Sequence, residues 1–90
     1  MYATLRWYSD SELAGKLNER ADEIKSVISG IDGFRGYYLI ESNAGTVSVS
    51  LFEDEASTNQ SNEAAASWLS ENLPGVSADN VVGGEVVLNF

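Results

Sequence analysis

The residue types that most often perform catalysis are scarce in this chain. It has no cysteine and no histidine, which excludes a thiolate nucleophile, a cysteine-ligated metal and an imidazole base near neutral pH. No Ser–His–Asp set, glycine-rich phosphate loop or metal-ligand spacing is present, and Gly83-Gly84 matches no nucleotide-binding motif. Any chemistry would therefore depend on aromatic rings, hydroxyls, amides and a few charged groups.

Three side chains are candidates for contact with a ligand. Trp7 and Trp68 could line a pocket for a flat molecule, although aromatic residues also dominate ordinary cores, and for Trp68 we favour core packing. Asn62 falls in a segment predicted to be helical, where Asn is a poor helix former. A hydrogen-bonding role in a pocket would explain this Asn, and so would an exposed helix position.

The charge of the chain limits its partners. Five basic residues against fourteen acidic ones give a net charge of −9, which would repel nucleic acid and anionic bilayers. Solubility is the simplest explanation of the acidic excess. The opening run YATLRWY reads as a strand without an apolar signal core, and no apolar stretch approaches a membrane span. We expect a cytoplasmic protein with no membrane and no nucleic-acid role.

Four strands are predicted. A hairpin at the centre of the chain joins Phe34–Glu41 to Thr46–Phe52 through a turn containing Asn and Gly, and both arms are rich in aromatic and β-branched residues. Tyr2–Ser9 is predicted as the first strand and Val81–Phe90 as the last, with alternating faces in each.

Two helices are predicted between these strands. The first starts at a capping box formed by Ser9 and Glu12 and carries one apolar stripe to about Ser29. The second starts at the acidic residues from Glu53 and stops before Pro74-Gly75.

The resulting order, βαββαβ, predicts one α+β domain over residues 1–90 with a ferredoxin-like, four-stranded antiparallel sheet and two helices on one face. The opposite face would be uncovered. We expect it to carry some of Tyr2, Tyr8, Tyr37, Leu39, Phe52 and Val87. Because so large an apolar face is unusual on a monomer, we predict a homodimer packed sheet to sheet.

The chain resembles the antibiotic-biosynthesis monooxygenase-like group of dimeric α+β barrels over nearly all of its length. The resemblance rests on the runs MYATLRWY, GIDGFRGYYLIES, SVSLFEDEAS and SNEAAASWLSENL. It implies a homodimeric barrel with a pocket between sheet and helices in each subunit. Some members oxygenate aromatic polyketides without metal or flavin, others degrade haem, and many have no known activity.

The haem-degrading branch of this group is a poor match. Its Trp at the end of the third strand and its His on the second helix correspond here to Phe52 and Asn62, and its first-strand Asn to Trp7. Without that His we expect no haem degradation. Phe52 also poses a conflict, because strand alternation puts it opposite Val49 and Leu51 whereas the family pattern puts it at the pocket.

Two functions follow from this resemblance. The first is a protein that binds a small hydrophobic or aromatic molecule and oxygenates it without a cofactor. The second is a non-catalytic dimer that carries a ligand or assists another protein. The candidate ligand-binding residues are Trp7, Tyr37, Phe52, Asn62 and Trp68, and no residue is a candidate metal ligand.

Two cations lie on predicted strands, Arg6 and Arg35, and both have the same predicted orientation as Glu85. They would form a salt bridge with Glu85 inside the dimer barrel or bind an anionic ligand.

Overall fold

The computed structural model describes all residues, Met1–Phe90. Its sheet contains β1 (Tyr2–Tyr8), β2 (Phe34–Ser42), β3 (Gly45–Phe52) and β4 (Asn80–Glu85) in the order β2-β3-β1-β4. All neighbouring strands are antiparallel. The predicted ferredoxin-like α+β architecture is confirmed.

The helices are α1 (Leu13–Asn18), α2 (Ala21–Ser29) and α3 (Glu55–Asn72). The prediction of one continuous first helix is wrong, because the backbone leaves the helical conformation at Arg20 (φ −119°, ψ 33°). The Arg20 guanidinium donates to Asn72 at 2.8 Å and lies 4.9 Å from the centre of the Trp68 ring. Contacts with α3 thus hold Arg20 at the break, and the apolar periodicity of the sequence does not record them.

The start of α1 and the end of β4 also differ from prediction. No capping box forms: the Ser9 backbone N–H donates to Asp79, and that of Glu12 donates to Asp10. β4 ends at Glu85 rather than at Phe90. Beyond β4, the Val86 backbone N–H donates a hydrogen bond to the Met1 carbonyl oxygen at 2.8 Å.

The central hairpin depends on Gly45. Its φ of 146° is unfavourable for other residues, and a Cβ at this position would collide with the carbonyl oxygen of Tyr8. The hairpin therefore closes directly against the end of β1, where Thr46 pairs with Tyr8.

The two faces of the sheet are the reverse of the predicted arrangement. Polar and aromatic side chains point toward the helices and are buried: Thr4, Arg6, Tyr8, Thr46, Ser48 and Ser50. The opposite face, which we call the open face, is apolar and carries exposed Leu5, Trp7, Tyr38, Ile40 and Val82. Tyr8 and Phe52 are 3% and 0% exposed, so their predicted place on the uncovered face is wrong.

The hydroxyl-bearing side chains of β1 and β3 face inward because α3 presents a matching surface of small side chains. Ser57, Thr58, Ser61 and Ala65 are buried on that helix. The Ser61 hydroxyl donates to the carbonyl oxygen of Thr58, and the Thr58 hydroxyl to that of Glu55. Self-satisfied hydroxyls of this kind allow close packing of α3 on the sheet.

The buried hydroxyl-bearing side chains of β1, β3 and α3 form a polar layer between the sheet and the helices. The apolar core consists of two small clusters beside this layer. One contains Tyr8, Leu13, Leu17 and Leu69, and the other contains Ile28, Ile31 and Phe52. Phe52 packs edge to face on Phe34 with ring centres 5.9 Å apart. None of the three helices combines the length and the apolarity that crossing a bilayer demands.

Phe52→Ala should lower the free energy of unfolding by about 3–5 kcal/mol, because it leaves a cavity in the smaller cluster. The matched substitution Phe90→Ala removes a fully exposed ring and should change stability by about 0.5 kcal/mol or less. Urea denaturation of both variants measures the difference. Equal effects of the two substitutions would contradict the assignment of Phe52 to the core.

Candidate functional site

A cleft of about 320 Å³ opens between the broken helix α1–α2 and strand β2. We call it the outer cleft. Most of its lining is apolar, and its only charged residue is Lys25. It is lined by Leu17, Asn18, Ala21, Ile24, Lys25, Ile28, Ser29, Phe34, Tyr37 and Leu39. This volume is at the lower end of the range for small-molecule sites.

A second, much smaller space lies deeper between the sheet and the helices. We call it the inner pocket; its volume is about 20 Å³, enough for a group the size of a water molecule. It shares Leu17, Ile24, Ile28 and Tyr37 with the outer cleft. Its only charged residue is Arg6. The space between sheet and helices is thus open at its outer part and nearly filled at its inner end.

Arg6 is buried, with 5% of its surface exposed. Its Nη1 donates to Asn62 Oδ1 at 2.9 Å and its Nε to the Tyr8 hydroxyl at 3.2 Å. Both acceptors are uncharged, and the ion pairs of the chain involve Arg20 and Arg35 instead. A buried guanidinium is normally paired with a carboxylate, so this one is unusual.

Asn62 fixes the position of Arg6 from α3. Its Oδ1 also accepts a hydrogen bond from the Thr4 hydroxyl at 3.2 Å. Asn62 and Thr4 additionally line a polar hollow of about 200 Å³ between α3 and β4. The amide therefore links β1 to α3 beside that hollow.

Tyr37 forms the boundary between the outer cleft and the inner pocket. Burial raises the pKa of its phenol above the ordinary value, with a smaller upward contribution from Tyr8, while the charge of Arg6 acts in the opposite direction. The raised pKa keeps the phenol neutral at physiological pH. Tyr37 can therefore donate a hydrogen bond but cannot act as a base there.

Two buried hydroxyls have no hydrogen-bond partner. They are those of Ser48, which lines the inner pocket, and Ser50 beside it on β3. Ser48 pairs with Arg6 across the sheet and Ser50 pairs with Thr4. Buried polar groups are rarely left unpaired, so the Ser48 hydroxyl gives the inner pocket additional capacity for hydrogen bonds.

The structure brings together some of the five predicted ligand-binding residues. Tyr37 lines both spaces and Trp68 lines the inner pocket, where it also packs on the larger core cluster. Asn62 reaches the site through Arg6. Phe52 lies on the helix side, where the family pattern put it, but it is fully buried in the core and lines neither space.

Trp7 is separated from the other four. It points to the open face and is 37% exposed, so its predicted place in the pocket is wrong; Arg6, one residue earlier, is the side chain that β1 directs toward Asn62. The predicted common orientation of the strand cations is also wrong. Arg6 lies on the helix side, whereas Arg35 is exposed and pairs with Glu53 at 2.8 Å.

Sequence reasoning missed the serines of the site. No serine of β3 is a candidate from the sequence alone, yet Ser48 and Ser50 are 2% and 0% exposed. The available signal was their match with Thr4 and Arg6, which alternate in the same way on the neighbouring strand. No group of three or more acidic, His or Cys side chains is placed to hold a metal ion.

Comparison with known proteins supports the fold. No family model and no curated protein matches the chain, but several solved structures do. MupZ from Pseudomonas fluorescens superposes with a TM-score of 0.71 at 11% identity over 91% of this chain, which spans 65% of MupZ, less than two thirds of its length.

Two further structures match almost the whole chain. MhuD from Mycobacterium tuberculosis, a haem degrader with two haems bound in its active site, has a TM-score of 0.66 at 15% identity over 99% of this chain and 97% of its own. A protein from Shewanella loihica with a provisional monooxygenase assignment has a TM-score of 0.60 at 14% identity over 98% and 94%. The chain therefore has the fold of the antibiotic-biosynthesis monooxygenase-like proteins, as the resemblance predicted.

The raised pKa of Tyr37 predicts a late step in the alkaline titration of the four tyrosines. One phenol should ionise at higher pH than an ordinary phenol, whose pKa is about 10, and tyrosinate absorbance follows the titration. Tyr37→Phe should remove this late step, whereas Tyr38→Phe, which removes an exposed phenol, should leave the late step in place. A single transition for all four phenols near pH 10 would contradict the assignment.

Stability should follow the same titration. Above about pH 10 the unfolded chain releases the Tyr37 proton while the folded chain keeps it, so the free energy of unfolding falls as pH rises until Tyr37 also ionises. Tyr37→Phe should reduce this slope.

Proposed function

We propose that the protein binds a small, flat aromatic molecule in the outer cleft and works as a homodimer. The open apolar cleft is the observation that carries the binding proposal: an otherwise acidic protein keeps a mostly apolar space of about 320 Å³ between its sheet and helices. Aromatic rings fit such a space because their burial there removes apolar surface from water. MhuD, which shares this fold, binds two haems in its active site, and this supports a ligand site in the present chain.

We extend this proposal to oxygenation without metal or flavin. The substrate would be an anthrone-type phenol whose activated C–H loses its proton to solvent. The carbanion then reduces O₂, a C–O bond forms, and the hydroperoxide loses water to leave a carbonyl. Tyr37 would contribute a hydrogen bond from its neutral phenol, and the walls of the outer cleft would exclude water. This route needs no imidazole base and is therefore compatible with a chain that has no histidine.

A non-catalytic ligand carrier is the second candidate. The observation that favours it is the inner pocket, whose 20 Å³ leave little room for both a substrate group and O₂ beside Arg6 and Trp68. A carrier would bind the same aromatic molecules and release them unchanged.

Oxygen uptake with 1,8-dihydroxyanthrone distinguishes the two candidates. The oxygenase predicts uptake above that of buffer, and Ala21→Trp should reduce the increment about tenfold or more because Ala21 lines the cleft and a larger ring would fill it. Ala66→Trp, on an exposed position of α3, is the matched control and should retain activity. Binding of the phenol without uptake favours the carrier, and absence of binding contradicts both.

The dimer is proposed from the open face. Its strands place Leu5, Val49 and Tyr38 side by side across the sheet, and Trp7, Ile40 and Val82 extend the apolar surface. None of these residues is charged, although the chain has fourteen acidic residues. A second copy can therefore pack on this face without bringing carboxylates together. Burial of a few hundred Å² of apolar surface contributes several kcal/mol at about 25 cal/mol per Å².

Val49→Glu should dissociate this dimer, since it puts a charge at the centre of the face. Ala66→Glu adds the same charge on an exposed position of α3 and should leave association unchanged. Sedimentation equilibrium at a protein concentration of about 10 μM, well within the range where a stable dimer is saturated, should show a dimer for wild type and a monomer for Val49→Glu. Higher salt should tighten the dimer because it screens repulsion between two acidic chains. A wild-type monomer of 9.7 kDa would overturn the proposal.

A further inference from the structure

The inner pocket contains a buried positive charge that no acidic residue neutralises. Arg6 is 5% exposed and hydrogen-bonds only to the neutral Asn62 and Tyr8. A charge removed from water without a counter-ion is unfavourable. The chain has fourteen acidic residues against five basic ones, yet none of these carboxylates pairs with Arg6.

The charges that line the outer cleft and the inner pocket are all positive. Lys25 is the only charged residue of the outer cleft, and Arg6 is the only one of the inner pocket. Both spaces thus exclude the acidic residues that prevail in the rest of the protein. This pattern is complementary to an anionic ligand.

The sizes of the two spaces match the two parts of such a ligand. The outer cleft, at about 320 Å³, accommodates a ring system, and the inner pocket, at about 20 Å³, accommodates about one oxygen-sized group. They meet at Tyr37, whose phenol is neutral and can donate a hydrogen bond. The unpartnered Ser48 hydroxyl lies in the same inner pocket.

We propose that the inner pocket is an oxyanion site, in which Arg6, with hydrogen bonds from Tyr37 and Ser48, binds the ionised oxygen of an aromatic ligand whose rings lie in the outer cleft. The ligand class is an aromatic molecule with an ionised oxygen on or next to its ring, such as a phenolate, an enolate or a carboxylate. This inference rests on the proposed aromatic-binding function and adds the charge state of the ligand. Charge-assisted hydrogen bonds from a guanidinium are among the strongest available in proteins.

Binding of 2-naphthoate and of its neutral analogue 2-naphthamide tests the proposal by calorimetry. Wild type should prefer the naphthoate about tenfold or more, the factor expected for a hydrogen bond to a charged group. Arg6→Gln should reduce this preference to about twofold, and Arg6→Lys, which keeps the charge, should restore part of it. Arg35→Gln is the matched control: it removes an exposed guanidinium outside both spaces and should leave the preference unchanged.

A measurement on the wild-type protein covers the case in which the Arg6 variants do not fold. The pKa of bound 2-naphthol, followed by the absorbance of its anion, should lie below that of free 2-naphthol because Arg6 stabilises the anion. An unchanged or raised pKa would overturn the oxyanion site.

The possible results separate this inference from the proposed function. Equal affinity for naphthoate and naphthamide leaves the aromatic-binding cleft in place and refutes the oxyanion site. Absence of binding by both refutes both proposals. A preference for naphthoate that Arg6→Gln leaves intact also refutes the role of Arg6, since a purely structural arginine would behave in this way.

Discussion

The burial of the Arg6 guanidinium between sheet and helices is the constraint on which much of this structure depends. Desolvation of an ion costs several kcal/mol even after the protein relaxes around it. Asn62 and Tyr8 supply part of the lost solvation. Small side chains on β3 and α3 leave room for the guanidinium, and the Asn62 amide connects the strand that carries it to the helix above. The polar layer between sheet and helices is thus organised around one charge.

This polar layer changes the distribution of apolar residues over the sheet. Strand alternation is strict, so turning Thr4 and Arg6 inward necessarily turns Leu5 and Trp7 outward. The helices then cover the more polar face, and the apolar face is left exposed. In a chain of 90 residues this is a large loss of buried apolar surface. Association through the open face would recover it, which connects the proposed dimer to the proposed ligand site through a single structural cause.

The fold could be predicted from the sequence because its evidence is local. The hairpin residues, the turn before Gly45 and the helical periodicities all act over a few residues, and together they specified βαββαβ. The break at Arg20 could not be predicted in this way, since Asn72 and Trp68, which hold it, are about fifty residues away in the chain. The orientation of the sheet failed for a related reason. The polar face of β3 turns inward because the facing helix α3 is itself lined by Ser and Thr, and the alternation of a single strand does not contain this information.

The candidate site shows the same division between local and non-local information. Tyr37 and Trp68 line the inner pocket, although the sequence also predicts Tyr37 among the residues of the uncovered face and favours core packing for Trp68. Trp7 points to the open face, because a single-residue shift exchanges the two faces of a strand. The correct neighbour, Arg6, becomes significant only when its burial and the absence of a carboxylate beside it are known. In the proposed dimer, the outer cleft and the interface lie on opposite faces of one sheet. Each subunit would therefore keep its own ligand site, and β1 would contribute to both surfaces through consecutive residues, Leu5 and Trp7 to the interface and Arg6 to the ligand.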